Sequence, residues 1–432
     1  MDKFVIRGGN PLVGTIRVSG AKNSALPSMA AAILTEGEVT LENIPQVRDI
    51  NTERKLLSSM GAEIWVDDAK PDRVKICCRT LSDPVAKYEI VKTMRASSLV
   101  LGPLIARAGM ARVAMPGGCA IGGRPIDLHI KGLEMMGAVI TQEHGYLEAR
   151  AERLKGAHLV FDRITVTGTE DLLMAAVLAE GETLMENCAR EPEVADVAAL
   201  LTAMGAKIEG AGTATIRVKG VTSLHGARHR INPDRIEAGT FLLAGAITRG
   251  DLIVAACNVG HLGALMAKLE EAGVRVDAIG SDAVRVRPGR GLRAADISTE
   301  EYPGFPTDMQ AQYMALATQA EGVSVVEENI FENRFRHVQE LVRMGAAIKV
   351  EGRTATVRGP KRLSAASVMC SDLRASAGLV LAALVADGQS VLDRVYHIDR
   401  GYERIEEKLR GVGARIARVS SVPAPEAEEA FV

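Results

Sequence analysis

The sequence predicts an α/β fold assembled from six copies of one unit with a period of roughly 70 residues. The first observation behind this is a phrase that ends a helix and opens a strand: LLSSMGAEI, LEMMGAVI, LTAMGAKI, LEEAGVRV, LVRMGAAI and LRGVGARI. Its glycines, at nearly even spacing along the chain, are Gly61, Gly137, Gly205, Gly273, Gly345 and Gly413. Each copy reads as an amphipathic helix, a glycine C-cap and an entering strand. The second observation lies roughly 25 residues upstream of each: an Ala/Leu-rich helix, then Gly37, Gly109, Gly181, Gly250, Gly322 or Gly388, then an alternating strand. The third is composition. With 42 glycines and only 3% aromatics, the cores must be built of Ala, Val, Leu, Ile and Met, which suits closely packed small units.

Taken in order, the segment from Met1 to Ala21 carries FVIRG and GTIRVSG, two short strands ahead of the first unit. In that unit Val39, Leu41 and Ile44 alternate with Glu38, Thr40 and Glu42, the pattern of a sheet with one buried face. A unit this small has too little core to stand alone, so neighbouring units must pack together, as one ring or as two groups of three. The basic, turn-rich stretch HGARHRINPDRI, residues 225–236, divides the third unit from the fourth. The expected domains are therefore 22–230, and 1–21 with 231–419, the leading strands completing the second. The last residues, 420–432, are rich in Pro and Glu without periodicity and are expected to be a disordered tail.

At 432 residues the chain has ample apolar content for two or three domains, and a formal charge of −2 gives no global field for nucleic acid or an anionic membrane. No apolar run approaches the roughly 18 residues that span a bilayer, so a soluble, cytoplasmic protein is expected. The six cysteines, Cys77, Cys78, Cys119, Cys188, Cys257 and Cys370, lack metal-ligand spacing and read as reduced thiols.

Counting back by one and the same interval from each glycine of the second set lands on Asn23, Arg95, Thr167, Ile236, Asp308 and Arg374, equivalent positions at one helix start. Capping accounts for Asn23, Thr167 and Asp308. It does not account for Arg95 and Arg374, because a cation there opposes the helix dipole unless an anion lies close by. A second candidate is the loop MPGGCAIGGRPIDLH, residues 115–129, where glycines surround Cys119 ahead of Arg124. Its four glycines deny it the side chains of a packed element, so it presents a thiol and a guanidinium to solvent.

SGAKNSALP, KTMRAS, GGCAIGGRPIDLH, PDRIEAGTF, FPTDMQAQ, FENRFRHV, SDLRASAGLVLA and YHIDRGYERIEEKL together resemble the UDP-N-acetylglucosamine 1-carboxyvinyltransferase family of enolpyruvyl transferases, up to about residue 419. The resemblance implies two inverse α/β-barrel-like domains of three repeats each, with an active site in the cleft between them. It implies attack of the 3-hydroxyl of UDP-N-acetylglucosamine on phosphoenolpyruvate, with release of phosphate by addition and elimination, in peptidoglycan synthesis. No metal or cofactor is implied. Carried over residue by residue, Cys119 is the proton donor to the methylene carbon and the target of fosfomycin. Lys22, Arg124 and Arg400 match ligands of the phosphate and carboxylate, with Asn23 beside them. Asp308 matches the group at the attacking hydroxyl, and Arg95, Arg334, Asp372 and Arg374 match further active-site positions. Arg124, Pro125, Ile126, Asp127, Leu128 and Ile330 match contacts to the UDP-sugar. Where the family commonly has lysine, a hydroxyl residue, valine and glycine on the nucleotide side, this chain has Arg163, Thr165, Val166 and Thr167.

These residue types suit the chemistry. A thiol with a pKa of about 8.5 is a usable acid near neutrality, and an arginine holds a phosphate or carboxylate through two hydrogen bonds. The rival reaction in the same fold makes 5-enolpyruvylshikimate 3-phosphate and leaves Cys119 and the RPIDL run without a purpose. A non-catalytic sensor of the UDP-sugar is a rival of another class, and the retention of Lys22, Cys119, Asp308 and Arg400 argues against it. A purely structural scaffold leaves the arginines at helix starts unexplained.

Overall fold

A computed structural model describes residues 2–92, 94–115 and 126–420, and of Arg95 the backbone only. The expected tail lies outside the described residues from 421 onward. The chain forms two compact units: one holds Val18–Arg235 and Glu300–Gly304, the other Met1–Arg17, Ile236–Thr299 and the chain from Phe305 onward. The first carries repeats 1 to 3 and the second repeats 4 to 6.

Each repeat has one four-stranded sheet of the same plan. In repeat 2 the order is Val85–Ala86, Met110–Ala114, Tyr146–Arg150 and Val139–Glu143, with the first pair parallel and the other two antiparallel. A parallel pair needs a crossover, which a helix between the two strands supplies. Three sheets draw a strand from far away in sequence. Arg228–Arg230 pairs with Thr40–Glu42 in repeat 1. Val13–Arg17 pairs with Asp251–Ala255 in repeat 4, and Lys3–Arg7 lies between Gln389–Leu392 and Arg415–Val419 in repeat 6.

Two kinds of helix alternate. The outer helices end at the first set of glycines, all six of which adopt φ between 86° and 108°, the left-handed region that a helix C-cap of this kind needs. The inner helices are Lys22–Ala31, Leu101–Ala108, Val166–Ala176, Arg235–Ile247, Gln310–Ala317 and Leu373–Val385. They carry the core and are buried nearly all round; every residue from Ile236 to Ile247 is buried. Each large aliphatic side chain buried this way stabilises the fold by about 1.5–3 kcal/mol. The close packing depends on small residues. A Cβ at Gly102 would lie 2.3 Å from the carbonyl oxygen of Asp171, and the Gly102 N–H instead donates to Asp171 Oδ1 at 2.8 Å.

The equivalence read from the spacing holds. Asn23, Thr167, Ile236 and Arg374 are each the second residue of an inner helix. Arg95 and Asp308 lie in the 3-10 turns Arg95–Val100 and Thr307–Met309 that lead into theirs. Cys77, Cys78, Cys188, Cys257 and Cys370 are buried free thiols. Among the described residues no helix is long and apolar enough to cross a membrane.

Candidate active site

In the first unit, Lys22 opens the inner helix of repeat 1, follows Ala21, which offers no side-chain cap, and is only 9% exposed. Its Nζ donates to Asp49 Oδ2 at 3.2 Å. Asp49 is the second residue of the outer helix Arg48–Ser59, where the helix dipole favours a carboxylate, and it is buried. Asn23, beside Lys22, is exposed. Cys119, Arg124 and Pro125, together with the side chain of Arg95, lie outside the described residues.

Of the residues expected on the nucleotide side, Asp127 of repeat 2 and Arg163 of repeat 3 meet within the same unit. Asp127 opens the outer helix Asp127–Met135, between the buried Ile126 and Leu128. Arg163 Nη2 donates to both oxygens of Asp127, at 2.9 and 3.1 Å, and both side chains are more than half exposed. His129 is buried below, near Asp127 and the Thr167 backbone; burial pushes its pKa down to about 4, so it is neutral.

The capping reading of the equivalent helix starts is corrected here. Thr165, not Thr167, caps the inner helix of repeat 3, accepting from the Gly168 N–H at 3.2 Å. Val166 is half-buried and Thr167 exposed at the start of that helix. Asp372 caps the inner helix of repeat 6, accepting from the N–H groups of Arg374 and Ala375, each at 3.0 Å. The Asp308 carboxylate is engaged by arginines on both of its oxygens.

That carboxylate centres the second unit's cluster. Arg334 Nη2 donates to Asp308 Oδ1 at 2.7 Å, and Arg374 Nε donates to Oδ2 at 3.0 Å. Arg334 and Arg374 are 6% and 4% exposed, so both guanidiniums are buried beside a part-buried carboxylate. The anion that the sequence required near Arg374 is thus, at least in part, the protein's own Asp308.

Residues that sequence reading passed over hold this cluster in place. Glu328, fully buried, accepts from the hydroxyls of Thr299 and Thr307 and from the backbone N–H groups of Ile330 and Phe331. Arg334 Nη1 donates to Thr307 Oγ1 at 3.0 Å, so Glu328 fixes both the expected sugar contact Ile330 and the Arg334 fork. Gln312 Nε2 donates to the Asp308 carbonyl at 3.0 Å and to the hydroxyls of Thr240 and Tyr402 at 3.1 Å each. The Tyr402 ring lies 5.4 Å from the Arg374 guanidinium. This network ties the inner helices of repeats 4, 5 and 6 together at one end. Arg400, half-buried in the 3-10 turn Val395–Arg400, belongs to the same unit.

The sequence matches the family EPSP synthase (3-phosphoshikimate 1-carboxyvinyltransferase) over residues 6–409. It is 77% identical over 423 residues to the UDP-N-acetylglucosamine 1-carboxyvinyltransferase of Acidobacterium capsulatum, covering 98% of this chain and 97% of that one. It is 70% identical to the enzyme of the same name from Koribacter versatilis, covering 98% of each chain. Among solved structures, the enolpyruvyl transferase NikO from Streptomyces tendae superposes with a TM-score of 0.87 at 26% identity, over 98% of this chain and 99% of that one. EPSP synthase from Acinetobacter baumannii superposes with a TM-score of 0.75 at 19% identity, over 97% of this chain and all of that one, a likeness of fold. By sequence over nearly all of the chain and by fold, this chain belongs to the EPSP synthase family of enolpyruvyl transferases, among its UDP-N-acetylglucosamine 1-carboxyvinyltransferases.

Proposed function

We propose that this chain transfers the enolpyruvyl group of phosphoenolpyruvate to the 3-hydroxyl of UDP-N-acetylglucosamine and releases phosphate, the first committed step of peptidoglycan synthesis, in the cytoplasm. The observation that carries the reading is 70–77% identity over nearly the whole chain to enzymes of that name. The charge arrangement within each unit supports it: a buried lysine in one, and in the other a carboxylate gripped by two buried arginines.

In this reaction the sugar oxygen bonds to C2 of phosphoenolpyruvate as the hydroxyl releases its proton to solvent, and the Cys119 thiol gives its own proton to the methylene carbon. The methyl group of the tetrahedral intermediate then returns a proton to the Cys119 thiolate, the C2–C3 double bond re-forms and the C–O bond to phosphate breaks. Lys22, Arg124 and Arg400 hold the phosphate and carboxylate, with Asn23 beside them and Arg95 as a further cation. Asp308 accepts a hydrogen bond from the attacking hydroxyl. With guanidiniums already on both of its oxygens, it is better suited to orienting that hydroxyl than to taking its proton outright. Arg334, Arg374 and Asp372 keep it in place. Pro125, Ile126, Asp127, Leu128, Arg163, Thr165, Val166, Thr167 and Ile330 form the UDP-sugar side. Arg163 in place of lysine retains the charge facing the diphosphate and anchors itself on Asp127. The two domains of the proposal are 22–230, and 1–21 with 231–419.

The test is phosphate release by purified protein. Release is expected only when UDP-N-acetylglucosamine and phosphoenolpyruvate are both present; silence with that pair and turnover with shikimate 3-phosphate would overturn the reading. Fosfomycin is expected to alkylate Cys119 in the presence of the UDP-sugar. A mass spectrum without an adduct on that peptide would count against a reactive thiol at Cys119.

A further inference from the structure

The six outer helices provide an internal control for one buried side chain. Eight residues before each helix-ending glycine stand Glu53, His129, Val197, Leu265, His337 and Ile405. All six are buried, with at most 2% exposure. Since three repeats fill this position with an aliphatic side chain, the fold itself asks for nothing polar there. Glu53 in repeat 1 therefore needs a reason beyond packing. It is fully buried, and neither of its carboxyl oxygens has a hydrogen-bond partner among the described residues. An unsatisfied buried carboxyl costs stability, so retaining it calls for a compensating use.

Its setting supplies one. Glu53 lies one helical turn after Asp49 on the outer helix Arg48–Ser59, and both face the interior. Residues four apart on a helix are neighbours, about 5–6 Å between Cβ atoms. Asp49 in turn holds the Lys22 ammonium at 3.2 Å. We propose that Glu53 is a positioning residue for Lys22, acting through Asp49. When the Lys22 ammonium turns from Asp49 to an anionic group of the substrate, the Glu53 carboxyl donates its O–H to Asp49 and replaces the donor that Asp49 loses.

No proton changes owner in this exchange; Glu53 keeps its hydrogen throughout. Burial, with a smaller contribution from the Asp49 charge, raises its pKa to about 8, so the hydrogen is present at neutral pH. A carboxyl donating to a carboxylate makes a charge-assisted hydrogen bond, one of the stronger kinds. The exchange lowers the cost of releasing Lys22 to substrate. The inference rests on the reading that Lys22 binds phosphoenolpyruvate.

The test compares Glu53→Leu, which copies Leu265 of repeat 4, with Glu53→Gln, whose amide N–H can still donate. Glu53→Leu is expected to fold at least as stably as wild type, to raise the KM for phosphoenolpyruvate about tenfold and to change kcat less than about twofold. Glu53→Gln is expected to stay within about threefold of wild type in both. The KM for UDP-N-acetylglucosamine should not move in either variant. A folded Glu53→Leu with unchanged KM, or a Glu53→Gln as impaired as Glu53→Leu, would overturn the proposal. Calorimetric titration of phosphoenolpyruvate, with and without UDP-N-acetylglucosamine, separates the two readings. If wild type fails to release phosphate, the reaction assignment falls, while equal phosphoenolpyruvate affinity in wild type and Glu53→Leu, or no binding to either, sinks the positioning role.

Discussion

Lys22 and Asp308 stand near the start of inner helices in different units, one position apart in the repeat, and their surroundings are inverted. Around Lys22 a cation faces a carboxylate from the neighbouring outer helix at 3.2 Å. Around Asp308 a carboxylate faces two guanidiniums at 2.7 and 3.0 Å, from different segments of its own unit. The difference teaches what each helix start is for. On the proposed assignment, an ammonium held by a carboxylate at 3.2 Å changes partners and takes up a substrate anion, whereas a carboxylate engaged on both oxygens is a fixed acceptor for a hydroxyl. Adjacent positions of the repeat would thus serve, on that assignment, a group that moves and a group that stays.

The sharpest way to break this comparison is Asp308→Ala. It removes the shared partner of two buried guanidiniums and should cost about 3–5 kcal/mol of stability, measured by calorimetric unfolding. Turnover should fall about 10²–10⁴-fold in the phosphate assay. Asp308→Asn keeps the shape and should recover part of the stability and little of the rate. Full activity in either variant would remove Asp308 from the reaction.

Lys22→Met comes next. Losing one charge-assisted contact to substrate should lower kcat/KM for phosphoenolpyruvate about 10- to 150-fold and leave the KM for the UDP-sugar nearly unchanged. An equal loss for both substrates would contradict the assignment of Lys22 to the smaller one.

Glu53→Gln sharpens the comparison through pH. Folded Glu53 keeps its proton up to about 8, whereas an unperturbed glutamate gives it up near 4.5. Its contribution is therefore fully present below about 4.5 and is lost as pH rises towards about 8, by up to about 1.4 kcal/mol per pH unit. The glutamine variant escapes this loss, so its advantage in Tm over wild type should be larger at pH 8 than at pH 5. A constant difference across that range would show that Glu53 does not hold its proton.

The smallest effect belongs to Arg163→Ala. The Arg163–Asp127 pair is exposed, so stability should change by less than about 1 kcal/mol. The KM for UDP-N-acetylglucosamine should rise several-fold and more at low salt than at high salt, because exposed charges are screened. A salt-independent rise would point to a contact other than charge.

Much of this was legible in the chain because it is local. A helix that must end and turn into a strand needs a left-handed residue, and the regular recurrence of Gly61, Gly137, Gly205, Gly273, Gly345 and Gly413 exposed the repeat before any strand was paired. The start of each inner helix followed by counting. Counting failed at the caps, since a cap belongs to the residue just outside the helix, and Thr165 and Asp372 stand two residues before the positions that were counted. Glu328 carried no signal beyond an acidic run, because its role comes from burial under Thr299, Thr307 and the Ile330 backbone.

The sequence by itself determined six α/β repeats, the close-packed small-residue cores and, through resemblance, the reaction. Only the tertiary structure decided that Lys3–Arg7 pairs with strands from the opposite end of the chain, that Asp308 occupies both Arg334 and Arg374, and that Glu53 sits beneath Asp49 with no hydrogen-bond partner among the described residues. The physical reason is range. Helix ends and strand alternation are set by neighbours a few residues apart, whereas the partner of a charge or of an edge strand is chosen by which distant segment is buried against it.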